Sequence, residues 1–488
     1  GSDDGVVQLT RDGGRSWAEV TPPELRERRF ARISLVEASP HRPGTAYVAA
    51  NRYQQDDRAP YAYRTDDYGA TWTRITGGIP ADDFFRAVRE DPARPRLLYA
   101  GTEHGAWFSL DDGARWQPLR LNLPDTQVPD LVVKDNDVVI ATHGRGFYVL
   151  DDVAPLRQLT PAARGADVHL FDPSDVVRAV DPGVAVYYTL RQPARSVTLD
   201  FLDAQGRVIR TFTGTPADSA RRDPAAGGGG DDEEGPARPA QPKPSVKAGM
   251  NRFVWDLRHA GPVEFPGIIL WAAQLRGPRG VPGAYRVRLT VDGRPAQTQD
   301  FRVLADPRLP GVTPAELEAQ FALASRVVER TSAANQAVLR IRGMREQVNE
   351  RLGRTRDAGV RAAADSLLAA LSAVENELYQ TRLQSNQDPL NYPIRLNNKL
   401  AALLGVIESA ESAPTRQTYE VFDELSRRLD AQLAALEGIV AGGLARFNTL
   451  LRARRLRPID PNAMPTPPTE EQRRATAEAA GELKERQW

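Results

Sequence analysis

Hydrophobic residues change their spacing twice along the chain. Up to residue 155 they come in short runs, such as Leu97-Leu98-Tyr99-Ala100 and Val138-Val139-Ile140-Ala141, divided by Asp, Gly and Pro. Runs this short between turn formers predict β-strands. Residues 184–190, 197–202, 208–212, 251–256, 285–291 and 298–304 then alternate β-branched or aromatic with polar positions, which predicts further strands. Asp203-Ala204-Gln205-Gly206 and Asp292-Gly293 supply their hairpin turns. From 313 the period lengthens towards that of a helix. Thr313-Pro314-Ala315-Glu316 is a capping box with Pro at the first helical position. Further helices are expected near 360–383 and 394–407, parted by Asp388-Pro389. A last one carries Phe422, Leu425, Leu429, Leu433, Leu436 and Val440 on one stripe. Over 415–454 it would run roughly 60 Å at about 1.5 Å per residue.

Within the first region one eight-residue phrase occurs three times. Its copies run from Thr10 to Trp17, from Thr65 to Trp72 and from Ser109 to Trp116. The shared pattern is hydroxyl, x, Asp, x, Gly, x, hydroxyl, Trp, carried by Thr10, Asp12, Gly14 and Trp17, by Thr65, Asp67, Gly69 and Trp72, and by Ser109, Asp111, Gly113 and Trp116. Only Arg115 departs, where the other copies have Ser16 and Thr71. The Asp carboxylate suits backbone N–H groups just ahead of it, and Gly accepts the positive φ of a tight turn. The Trp is a large apolar plug where the chain re-enters a sheet. Asp12, Asp67 and Asp111 are spaced 55 and 44 residues apart, a period that reads as propeller blades.

This phrase resembles the Asp-box, or BNR repeat, of sialidases, of xyloglucan-degrading glycoside hydrolases and of sortilin-type (VPS10) propellers, whose bacterial relatives are often labelled glycosyl hydrolase. The resemblance implies a multidomain chain that starts with a partial Asp-box β-propeller. In these families the box sits at the outer edge of a blade, so the twelve box residues are expected to be structural. The run from Val139 to Tyr148 resembles a closing blade, and Leu150-Asp151-Asp152-Val153 drops the box. Two full units and two halves make about three blades, fewer than the roughly 4–8 of closed propellers. The expectation is that a missing N-terminal part, in cis or as a second chain, supplies the rest. Residues 249–256 and 282–287 resemble paired strands of an immunoglobulin-like domain of the flagellar-hook-cap type. The expected layout is propeller blades over 1–155, an Ig- or FnIII-like β-sandwich over 166–305, an α-helical bundle over 313–457 and a loose tail over 458–488. The acidic, Pro-rich stretch 214–247 is expected to be a disordered insertion.

Composition narrows the chemistry. The 488 residues hold 64 basic and 64 acidic side chains, so neither nucleic acid nor an anionic membrane is indicated as a partner. The absence of Cys excludes disulfides and thiolate chemistry. No apolar stretch approaches the roughly 18 residues of a membrane span. A secreted or periplasmic protein is expected, with any export signal outside these residues. Glu103, His104, His143 and Arg145 fall at equivalent turns between strands and are the candidate ligand contacts. No metal, cofactor or catalytic set is expected. Protein or polysaccharide binding is the leading function, and a glycoside hydrolase whose paired carboxylates lie mostly in missing blades is the alternative.

Overall fold

Short strands joined by Asp-Gly turns pair with their sequence neighbours, and the computed structural model shows the outcome. It describes residues 1–28, 30–219, 241–385 and 387–466. The chain divides into two compact units, Gly1–Ala166 and Asp167–Trp488. In the first, every sheet is an antiparallel meander. β1 (Gln8–Leu9) pairs with β2 (Ala18–Glu19). β3 (Arg32–Ala38), β4 (Ala46–Arg52), β5 (Asp57–Thr65) and β6 (Thr73–Arg74) form a second sheet. β7 (Phe85–Glu90), β8 (Leu98–Thr102), β9 (Gly105–Ser109) and β10 (Gln117–Pro118) form a third. β11 (Asp130–Lys134), β12 (Asp137–Ala141) and β13 (Phe147–Leu150) form the last.

These sheets stack face to face. Val48 and Ala50 of β4 share a core with Val7 and Ile33, whereas Tyr47 and Ala49 meet Phe85 and Val88 of the next sheet. Leu97 and Tyr99 then pack against Leu131, Val138 and Ile140. A middle strand covered on both faces needs apolar residues at consecutive positions, which explains runs such as 97–100. Each large side chain so buried contributes about 1.5–3 kcal/mol. Short helices α1 (Pro23–Glu27), α2 (Ala154–Gln158) and α3 (Pro161–Gly165) each carry Pro in their first turn.

In the second unit a three-stranded sheet faces a five-stranded one. The first holds β14 (Val168–Leu170), β16 (Val184–Leu190) and β19 (Gly249–Trp255). The second holds β15 (Val176–Val177), β17 (Val197–Leu202), β18 (Val208–Gly214), β20 (Gly283–Val291) and β21 (Arg294–Leu304). Val186, Phe253 and Trp255 meet Leu199, Phe201 and Val287 in one core. Phe201 stacks on Trp255 at 4.4 Å. Several strands outrun the alternating signal, because backbone ladders continue through residues that bury nothing. Of the insertion expected over 214–247, residues 220–240 lie outside the described residues. Its flanks belong to the fold: α4 (Pro216–Ser219) follows β18, and Val246 is buried, its carbonyl accepting from Ala194 N–H at 2.9 Å.

The helices are α5 (Pro314–Gly353), α6 (Ala358–Leu378), α7 (Leu396–Ile407), α8 (Arg416–Ile439) and α9 (Ala445–Ala453). Thr313 and Glu316 close a reciprocal capping box on α5. α6 stops short of 383 because Tyr379 turns extended. Its ring packs edge-on against Phe265 at 5.0 Å, and its hydroxyl accepts from Ile269 N–H. The stripe expected over 415–454 is interrupted by a π-turn at Val440–Leu444, where Gly442 and Gly443 weaken regular helix. Sandwich and helices belong to one compact unit. Arg178, 1% exposed, bonds Glu411 and Gln320, and Arg258 pairs with Glu408 at 2.8 Å. The tail expected to be loose from 458 is docked as far as 466. Ile459 is buried, its N–H and carbonyl are both held by Asn448, and the backbone at Ala463 lies where a Cβ on Gly343 would sit. Residues 467–488 lie outside the described residues.

Candidate functional site

Successive hairpins of a meander point to opposite edges of the sheet, so the Asp turns and the Glu103 turn cannot share an edge. The Asp turns join β1 to β2, β5 to β6 and β9 to β10. In the second turn, Thr65 Oγ1 accepts from Gly69 N–H at 2.8 Å and donates to Asp67 Oδ1. Asp67 accepts from Thr71 N–H at 2.8 Å and from the Thr71 hydroxyl at 2.6 Å. The first turn repeats this around Asp12, and the third keeps the backbone bonds to Asp111 and Ser109. Gly14, Gly69 and Gly113 sit at φ 89°, 82° and 84°. Hydrogen bonds from Ser16, first from its hydroxyl, hold the Asp12 carboxyl down at about 2.

At the opposite edge, side chains from neighbouring sheets meet. Tyr53, in the β4–β5 turn, stacks on Phe84 before β7 at 5.2 Å, and the Arg86 guanidinium covers both rings. Arg86 pairs with Glu103 Oε2 at 2.7 Å, and Gln127 Nε2 donates to the same oxygen at 2.7 Å. The Gln127 amide is thereby oriented, so its Oε1 accepts from His143 Nδ1–H at 2.7 Å and Nε2 of the imidazole remains an acceptor. His104 pairs instead with Asp125, whose hydrogen bond raises its pKa. Arg145 is exposed at the tip of the β12–β13 hairpin. Of the four candidate contacts, Glu103 and His143 are thus brought together through Gln127, whereas His104 and Arg145 stand apart from that chain.

Arg86, Gln127, Asp125 and Tyr53 were missed from sequence. One signal existed in the repeat. Glu103 N–H bonds the Phe84 carbonyl as His143 N–H bonds that of Gln127, so Gln127 takes the place Phe84 holds one sheet earlier. Asp83 is buried beneath the strip and fully used, accepting from Thr102, Trp107 and His104 N–H.

Several tyrosine–carboxylate pairs also stand in the first unit. Tyr61 donates to Asp57 at 2.7 Å and Tyr63 to Glu24 at 2.6 Å, with Arg28 and Arg74 close by. Burial raises both phenols, as do the carboxylates, so each keeps its proton and donates it to the carboxylate. A cleft of about 720 Å³ lies at the Asp-turn edge, lined by Arg42, Arg64, Arg96, Asp66 and Asp112. Its charges are spent on one another: Asp112 accepts from Tyr47 at 2.6 Å and pairs with Arg42 and Arg64 at 3.1 Å. This is a clamp between sheets. Asp112 occupies a turn position that holds Gly13 and Tyr68 elsewhere, at φ 62°, which Asp tolerates. Among the described residues no three His, Asp or Glu are placed to hold a metal, and no helix is long and apolar enough to cross a membrane.

No protein-family model matches the chain, and no curated protein matches it in sequence. Among solved structures it is similar to YCF48 bound to D1 peptide, at 14% identity and TM-score 0.24, over 43% of this chain and 63% of that one. It is also similar to the GH74 enzyme of Niastella koreensis, at 14% identity and TM-score 0.26, over 44% and 33%. The GH74 xyloglucanase from Xanthomonas campestris shares 15% identity at TM-score 0.24, over 60% and 42%. The chain spans less than two thirds of the length of each of these. The neighbours are β-propeller folds, and likeness this slight carries no argument about chemistry. Sheets that stack as propeller-like repeats, followed by a helical region, are what the chain itself displays.

Proposed function

We propose that this is an extracytoplasmic binding protein whose first unit is part of a sortilin-like Asp-box β-propeller. In this reading it takes a protein or polysaccharide ligand across the strip from Tyr53 to His143 and does no chemistry on it. The single observation that carries the reading is the Glu103–Gln127–His143 chain, which joins two sheets at one edge beside an aromatic shelf. An aromatic face with oriented carboxylate, amide and imidazole groups suits polar ligands of extended shape. The Ig-like sandwich and the bundle would serve as its scaffold.

A glycoside hydrolase is the second reading, favoured by one feature. Donors converge on Oε2 of Glu103, and among the described residues none is seen on its other oxygen. Hydrolysis also needs a second carboxylate across the glycosidic bond. Labelled protein on glycan and peptide arrays should show retention that His143→Ala or Gln127→Ala weakens about tenfold, or 1.4 kcal/mol. Turnover of an arrayed glycan, abolished by Glu103→Gln, would replace binding with hydrolysis.

A further inference from the structure

The sandwich meets the helices at the loop between α7 and α8, where four arginines surround two glutamates. Arg178 and Arg258 fill the inner places, their side chains 1% and 9% exposed. Arg178 donates to the Gly280 carbonyl at 2.9 Å, to Gln320 Oε1 at 2.8 Å and to Glu411. Arg258 donates to the Gly277 carbonyl at 2.7 Å and to Glu408 Oε2 at 2.8 Å. Gln320 Nε2 in turn donates to the carbonyls of Ile407 and Ala410, which ties the loop to α5.

Arg276 and Arg279 take the outer places. Arg279 forms a β-bridge with Arg258, and its N–H donates to Glu408 Oε1 at 2.8 Å, so both oxygens of that carboxylate are filled. The two outer guanidiniums find less. Arg276 Nη2 stands 3.8 Å from Glu408 Oε2, and Arg279 Nη1 stands 3.7 Å from Glu411 Oε1, both too far for a hydrogen bond. Among the described residues neither guanidinium has a nearer acceptor, although the side chains are only 38% and 26% exposed. Burial lowers the pKa of each, and Arg258 beside them lowers it further. Arginine keeps its proton all the same. Four guanidiniums thus face two carboxylates within ion-pair distance. Counting Asp256, which acts on Arg276 from beyond that distance, one positive charge is still in excess.

We propose that Arg276 and Arg279 form a binding site for a tetrahedral oxyanion, phosphate or sulfate, at the junction of sandwich and helices. Two planar forks whose N–H groups meet no protein acceptor suit the several oxygens of such an anion. Charge in excess on partly buried side chains favours it further, and repels a metal cation. The inner pair cannot serve, because its donors are already engaged. The site belongs to the second unit and is independent of the strip from Tyr53 to His143, so loss of anion binding and loss of binding at the strip are separate results.

Titration calorimetry of the full chain with inorganic phosphate and with sulfate, against sodium chloride at matched ionic strength, tests this. Saturable binding of phosphate or sulfate is expected, and none of chloride. Arg276→Gln and Arg279→Gln remove guanidiniums that no described residue bonds, so both should fold, and each should weaken the affinity about tenfold. A sulfated oligosaccharide that binds more tightly than free sulfate, and loses that advantage in both variants, would place the anion on a glycan; equal or weaker binding would leave the free ion as the ligand. No saturable binding, affinity unchanged in either variant, or chloride binding as well as phosphate, overturns the proposal. Crystals of the unaltered chain soaked in selenate give a second measurement that needs no variant to fold. Anomalous scattering is expected between the Arg276 and Arg279 guanidiniums, and its absence there overturns the site.

Discussion

At the Asp turns almost every polar bond closes within four residues of its origin, whereas at the opposite edge the partners lie 16 to 24 residues apart and on different strands. The turns hold their own loops, and the edge strip and the Asp112 clamp hold sheets to one another. Self-contained turns can recur as modules, while contacts between sheets depend on what the neighbour offers. The three tryptophans show this: one motif position is 59% exposed at Trp17, intermediate at Trp72 and 2% exposed at Trp116.

That gradient gives the largest expected effect. Trp116→Ala should cost about 3–5 kcal/mol, since it removes a buried ring packed against Phe85 and a bond to Ile75. Trp17→Ala should cost less than about 0.5 kcal/mol. Chemical denaturation followed by amide exchange within the first unit measures both, and equal costs would break the comparison. Next comes Asp112→Ala, at about 3 kcal/mol, because Arg42 and Tyr47 lose a buried partner and strand their own polar groups. Thr65→Val should cost about 1 kcal/mol, as one buried hydroxyl leaves the Gly69 N–H unpaired. If it matched Asp112→Ala, the turns would not be separable from the sheets.

The smallest effect concerns pH. Asp12 is depressed from 3.8 to about 2 by the folded turn, so between those values the unfolded chain binds more protons. The turn's stabilisation is therefore present above about pH 4 and lost as pH falls through 2. Asp12→Asn should flatten that part of the acid limb, and NMR titration of the carboxyl checks it. His104 runs the other way. Its pKa is raised by Asp125, so its contribution is full below the ordinary histidine range and fades as pH rises through the raised value. Asp125→Asn should reduce that shift.

Legibility in the sequence followed distance along the chain. The Thr65, Asp67 and Gly69 pattern states its own hydrogen bonds, because donor and acceptor are a few residues apart and backbone stereochemistry allows few alternatives. The Thr313 cap and the β16 and β17 spans were readable for the same reason. The docked tail at Ile459 and the end of α6 at Tyr379 were not, since each depends on packing. Glu103 and His143 could be named as turn residues from sequence, whereas Gln127, which joins them, was marked only by its place in the repeat.

What the sequence determined by itself is therefore the set of turns, caps and strand or helix periods, all of them settled by interactions within a few residues. Only the tertiary structure decided which turn residues meet, which tryptophan is buried and on which carboxylate the donors converge. Those outcomes depend on the stacking of whole sheets, where one side chain's surroundings are set by residues tens of positions away.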